Sequence, residues 1–180
     1  MEKLHPGHHE FFGTIRDPWT WYVSLFNHAH RSVQGRDAIR RYGGTFKSFI
    51  EGMSKKAIKD EGYTLISVRS DERLWKEFEG GLYSHWFEIF YQPQTRVFID
   101  TAQMYEGVQE LLKFKADPRK FPPLNVSQND RKYKEKYSQE MIDLVWETDG
   151  PLAKRLGFTP FSASSHGAVI HLDGKKDNVR

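Results

Sequence analysis

The sequence predicts an α/β fold built around a parallel sheet, and three observations lead there. Phe11 to Ile15 is a short apolar run that ends in Arg16, and Asp17-Pro18 then opens a helix. Thr95 to Asp100 is a second strand-like run, again followed by a helical stretch, from Gln103 to about Phe114. The long segment between the two strands can hold crossover helices, as a parallel pair requires and a hairpin does not. An uninterrupted apolar run, rather than an alternating one, is what a strand covered on both faces shows. At 180 residues the chain is expected to form one domain.

The remaining elements follow in order. Residues 1–10 are expected to be a flexible N-terminal segment. Asp17 suits an N-cap and Pro18 the first helical position, where no N–H is needed. That helix is expected to reach about Arg31, with Trp21, Leu25 and His28 on one face and an interruption at Gln34-Gly35. Gly43-Gly44 breaks the chain again, and Thr45 then caps a helix bearing Phe46, Phe49, Ile50 and Met53. Tyr63 to Val68 alternates weakly and fits a strand or an extended insertion. Residues 82–90 form an aromatic helix, with Leu82, Trp86, Phe87 and Phe90 at helical spacing. The helix after Asp100 carries a stripe of Met104, Val108, Leu111 and Leu112. Asp117-Pro118 and Phe121-Pro122-Pro123 mark an irregular loop. Ser138 caps a last helix with Met141, Ile142, Val145 and Trp146 inward. Gly150-Pro151 is expected to break or kink it, and Gly157 suits the position just past its end, with Pro160 beyond. The domain is expected to span 11–160, followed by a polar tail over 161–180 in which only Ala168 to Leu172 is apolar.

Composition limits the function classes. Aromatic residues make up 14% of the chain, enough for a sizeable core, yet the hydrophobic share is only 38% and the mean hydropathy is −0.70. So lean a core fits a unit that borrows sheet neighbours from elsewhere. A net charge of +3 and a pI of about 9.0 suit an anionic ligand but are too weak to argue for nucleic acid. The absence of cysteine excludes disulfides, a thiolate nucleophile and a cysteine zinc site. No signal core or membrane-length apolar stretch is present, so a cytoplasmic protein without membrane partners is expected.

The chemistry concentrates at Arg16-Asp17-Pro18. A guanidinium at a strand's C-terminal end, beside a helix N-terminus, favours a phosphate: amide donors, the helix dipole and a two-pronged cation meet there. Ser24 lies eight positions after Arg16, about two turns up the helix and on the face of Thr20, Asn27 and His28. The bland alternative is a capped strand-to-helix turn with a solvated arginine.

This stretch resembles the 3′-phosphate-binding motif of sulfotransferases, in which an Arg-(Asn/Asp)-Pro turn ends a strand and a serine follows eight residues beyond the arginine. The aromatic filling Trp19-Thr20-Trp21-Tyr22 resembles the bacterial and phage-like branch. Gly80-Gly81-Leu82-Tyr83-Ser84-His85-Trp86-Phe87 is similar to a middle stretch of that family. Leu124-Asn125-Val126-Ser127, with Tyr133, Tyr137 and Leu156-Gly157-Phe158, is similar to its closing segment. The resemblance implies a P-loop NTPase-like sulfotransferase fold with a parallel central sheet. It implies Arg16 and Ser24 as ligands of the 3′-phosphate of 3′-phosphoadenosine 5′-phosphosulfate, the sulfuryl donor. The acceptor would be the hydroxyl or amine of a small molecule or carbohydrate. His5, in His5-Pro6, is the upstream candidate for the catalytic base.

The resemblance also implies a glycine-rich Lys-Ser/Thr loop around the 5′-phosphosulfate, and the chain holds no Gly-x-x-x-x-Gly-Lys-(Ser/Thr). The fold is therefore expected to be incomplete at its N-terminus. Its free sheet edge would then invite a partner chain or self-association. Two further readings follow: a non-catalytic nucleotide- or glycan-binding module, and a subunit completed by a partner. His5, His8, His9 and Glu10 could bind a metal adventitiously, but sulfuryl transfer needs none, and no metal site is assigned. Trp19, Trp21 and Tyr22 fit core better than a base-stacking wall. The run Arg131, Lys132, Lys134 and Lys136 fits either a phosphate-approaching loop or a solvated face. Asp100, Ala102 and Met104 stand where relatives carry an Arg and a Glu before a Leu, so an ion pair is expected to be missing there.

Overall fold

The computed structural model describes residues 12–41, 43–53, 80–91, 95–113 and 134–172. The segments carrying His5, His8, Tyr63 to Val68, Asn125-Val126-Ser127 and Arg131-Lys132 lie outside them. The element order is β1 (Phe12–Ile15), α1 (Pro18–Ala29), α2 (Val33–Arg41), α3 (Phe46–Met53), α4 (Leu82–Phe90), β2 (Val97–Asp100), a 3-10 turn (Thr101–Gln103), α5 (Met104–Leu112), α6 (Gln139–Arg155) and β3 (Val169–His171). The fold is mixed α/β, as expected.

The sheet among the described residues has three strands in the order β1-β2-β3. β1 and β2 run parallel, with Ile15 opposite Asp100, so Arg16 follows at the sheet edge where Asp100 ends. This matches the parallel pairing read from the sequence. β3 is antiparallel to β2, with Phe98 opposite Ile170 and Ile99 opposite Val169. The expected parallel sheet thus holds for β1 and β2 but not for β3, and the polar tail contributes a strand. Residues 161–172 fold back onto the sheet because Ala168, Val169 and Ile170 supply apolar surface that β2 can cover.

Side chains alternate across the sheet. On one face Ile15, Phe98 and Ile170 join the main core, with Trp19, Tyr22, Phe49, Leu82, Val145 and Phe158. On the other, Ile99 meets α5 at Gly107, where a Cβ would collide with Ile99 and with the Ala168 carbonyl. The sequence reading assigned that helix an apolar stripe; the close approach is made instead by the glycine, and Met104, Val108 and Leu111 stay half-buried. Local signals place the helix ends well. Asp17 caps α1 through Thr20, and Ser138 caps α6 through Met141. Thr45 Oγ1 accepts from the Ser48 amide at 3.1 Å at the start of α3. After α6, the Phe158 amide donates to Ala153 and the Gly157 amide to Lys154, with Gly157 at a φ of 72°, the expected Schellman ending.

Two expectations about helix breaks give way. α2 runs through Gly35, and the break before it falls at His30 to Ser32. α6 runs through Pro151 without ending. That proline only removes the N–H that would have bonded the Glu147 carbonyl; it sits on the exposed side, while Gly150 packs on the Trp146 ring.

At the edge strand, the Tyr83 hydroxyl donates to the Arg16 carbonyl at 2.8 Å, and the Tyr91 hydroxyl donates to the Thr14 carbonyl. The Arg16 and Thr14 carbonyls are therefore satisfied from within the chain. No helix among the described residues is long and apolar enough to cross a membrane.

Candidate functional site

The site is built where β1 hands over to α1. The strand ends at Ile15, Arg16 turns the chain, and Asp17 adopts the extended backbone of an N-cap. Its Oδ1 accepts from the Thr20 amide at 3.0 Å and its Oδ2 from the Thr20 hydroxyl at 2.5 Å. The Trp21 amide donates to the Asp17 carbonyl at 3.0 Å. Pro18 has no N–H, so the first turn offers an incoming anion little beyond the buried Trp19 amide. Here the structure departs from the sequence reading, which relied on free amides. The helix terminus is already occupied by the chain's own carboxylate, so an anion must be held by side chains.

Those side chains are Arg16 and Ser24. Arg16 is half-buried, and its guanidinium makes no hydrogen bond or ion pair with any described residue, although its charge reaches Asp17. Ser24 is also half-buried and lies on the one stripe of α1 that stays open: Thr20, Ser24, Asn27 and His28. Every other position from Pro18 to Ala29 is buried. Trp19, Trp21 and Tyr22 belong to this packed side, with exposures of 0%, 9% and 1%. They are core, not a base-stacking wall.

Two carboxylates flank the turn. Asp100 is fully buried at the end of β2. It accepts from the Ser164 amide at 2.7 Å and the Ala102 amide at 2.9 Å, with Gln103 Nε2 at 3.5 Å. Its carboxylate is thus met by two backbone amides and the Gln103 side chain. Burial pushes the Asp17 carboxyl up to about 6; the Thr20 bonds and the Arg16 charge oppose this, and the Asp100 charge adds to it. Asp17 therefore carries its negative charge above about pH 6 and loses it in mild acid.

His5 and the pair Arg131-Lys132 lie outside the described residues. Lys134 and Lys136 are exposed, and Lys134 Nζ stands 5.3 Å from the centre of the Phe161 ring. Phe161 packs on Trp19 and Tyr137, and the Tyr137 hydroxyl donates to the Trp19 carbonyl at 3.2 Å. This basic residue therefore connects, through aromatic packing, to the first turn of α1. No group of three or more metal-ligating side chains occurs among the described residues. No protein-family model matches the chain, and no curated protein or solved structure matches it.

Sequence reasoning overlooked a second polar centre. Asp149 of α6 is fully buried and accepts from the Tyr22 hydroxyl at 2.8 Å, the Ser84 amide at 2.9 Å and the Ser84 hydroxyl at 2.6 Å. The Tyr22 hydroxyl in turn accepts from the Tyr83 amide at 3.2 Å. Burial raises the carboxyl of Asp149 and these bonds lower it, with a net rise. The available signal was Gly81, where a Cβ would run into the Asp149 carboxylate.

Proposed function

We propose that the chain binds a 3′-phosphorylated adenine nucleotide along α1 and acts as a sulfotransferase-type protein of the P-loop-like class. Its reaction would pass a sulfuryl group from 3′-phosphoadenosine 5′-phosphosulfate to the hydroxyl or amine of a small molecule or carbohydrate. The observation that carries the reading is the pair Arg16 and Ser24, whose side chains bond no other described residue. One sits at the end of β1, the other two turns up the open stripe of α1, where ligands gather in open α/β sheets. A guanidinium fork and a hydroxyl along one side of α1 fit a phosphate dianion. The donor specificity, the 5′-phosphosulfate contacts and the role of His5 as base come from the sequence resemblance.

A second reading keeps only the binding step: a nucleotide-binding module, or a subunit whose partner supplies the sulfuryl clamp. It is favoured by the way Asp17 fills the helix terminus, which leaves anchoring rather than charge-stabilising chemistry at this turn. Calorimetry with adenosine 3′,5′-bisphosphate and AMP tests the common part. The bisphosphate should bind more tightly, and Arg16→Ala should erase most of that preference; equal affinities in the wild type would refute both readings. Transfer from the labelled donor to an acceptor panel then separates enzyme from module.

A further inference from the structure

We infer that Asn27 is an additional ligand-contacting residue, donating a hydrogen bond to the nucleoside part of the bound nucleotide; this rests on the nucleotide reading above. The Asn27 Nδ2 atom is buried and has no hydrogen-bond acceptor. Its side chain makes no hydrogen bond with any described residue. A buried donor without an acceptor opposes folding, and native proteins retain few of them, chiefly where function requires it. Asn27 stands on the open stripe of α1, three residues beyond Ser24, or roughly 4.5 Å further along the axis. The residue as a whole is half-buried, and rotation about its terminal torsion is soft. A ligand lying along the open stripe can thus draw the donor outward.

The chemistry of the partner follows from position and charge. A phosphate held between Arg16 and Ser24 leaves the next turn of the helix to the sugar or base attached to it. A neutral amide offers one donor and one acceptor side by side, which suits hydroxyls and base edges better than a phosphate.

The test uses the full chain, with Asn27→Ala and the near-isosteric Asn27→Leu. Affinities for adenosine 3′,5′-bisphosphate and for inorganic pyrophosphate are measured by calorimetry, and thermal unfolding is followed in parallel. Both variants should bind the nucleotide about tenfold more weakly, bind pyrophosphate like the wild type, and melt at the same temperature or higher. Unchanged nucleotide affinity would overturn the inference, as would an equal loss for pyrophosphate or a lowered melting temperature in both variants. Where Arg16→Ala abolishes the preference for the bisphosphate and the Asn27 variants do not weaken binding, only the inference falls. Where the wild type binds neither nucleotide, the nucleotide reading falls and takes the inference with it.

Discussion

Among the described residues, two α-helix N-termini receive a buried carboxylate, and they use it differently. At α1 the acid is local: Asp17 caps its own helix through Thr20. At α4 the acid comes from 65 residues away, with Asp149 accepting the Ser84 amide and hydroxyl and also binding Tyr22. The Asp149 centre is closed. The Tyr22 hydroxyl, the Ser84 amide and the Ser84 hydroxyl all donate to the carboxylate, which ties α1, α4 and α6 together. The α1 turn is open. Its capping needs are met by one residue, and that leaves Arg16, Ser24 and Asn27 with polar groups not engaged by the described residues. A satisfied buried network specifies a core; donors left over beside a capped terminus are what a ligand can use.

Breaking the closed centre should have the largest effect. Asp149→Ala strands the Tyr22 hydroxyl and the Ser84 amide in the core, at about 1–3 kcal/mol for each unpaired group. Chemical denaturation should show a loss of about 2–6 kcal/mol, and Gly81→Ala should also destabilise by forcing the carboxylate aside. A stable Asp149→Ala protein would mean that the two termini do not differ as described.

The open turn should reveal itself through pH. The folded state holds the Asp17 proton up to about 6, above the unfolded value of 3.8. Its contribution is therefore fully present below pH 3.8 and is lost as pH rises through about 6, a change on the order of 3 kcal/mol. Asp17→Asn keeps an N-cap side chain and removes this titration. The stability difference between the two proteins should grow in favour of the variant from pH 4 to 7. Asp149, whose carboxyl is also raised, is present in both and cancels. Parallel pH profiles would show that Asp17 is not held as the burial implies.

Arg16→Ala should weaken binding of adenosine 3′,5′-bisphosphate by about 1.5–3 kcal/mol while leaving the unfolding midpoint near that of the wild type. The smallest effects sharpen the contrast most directly, because each terminus has one serine. Ser84→Ala should cost about 1–2 kcal/mol of stability with nucleotide affinity unchanged. Ser24→Ala should cost about 1 kcal/mol of affinity with stability unchanged. Crossed results, with Ser24 structural and Ser84 ligand-sensitive, would reverse the assignment of the two regions.

Features that depend on a few neighbouring residues were legible in the sequence. Asp17-Pro18, Thr45, Ser138 and Gly157 start or end helices where expected, because a cap bonds to a backbone group only two to four residues away. The parallel pairing of β1 with β2 followed from two apolar runs, each leading into a helix. The placement of Arg16 at the sheet edge, with Ser24 on the open stripe of α1, followed from the same logic plus helical periodicity. Tertiary structure decided the rest. β3 joined the sheet although its surroundings are small and polar, because three apolar residues sufficed once β2 offered an edge. Pro151 stayed inside α6, on the exposed side. Asp149 found Tyr22 across 127 positions, and no local pattern encodes such a pairing. Capping and periodicity are short-range energies written into adjacent residues; the partners of a buried polar group are set only when distant segments close over it.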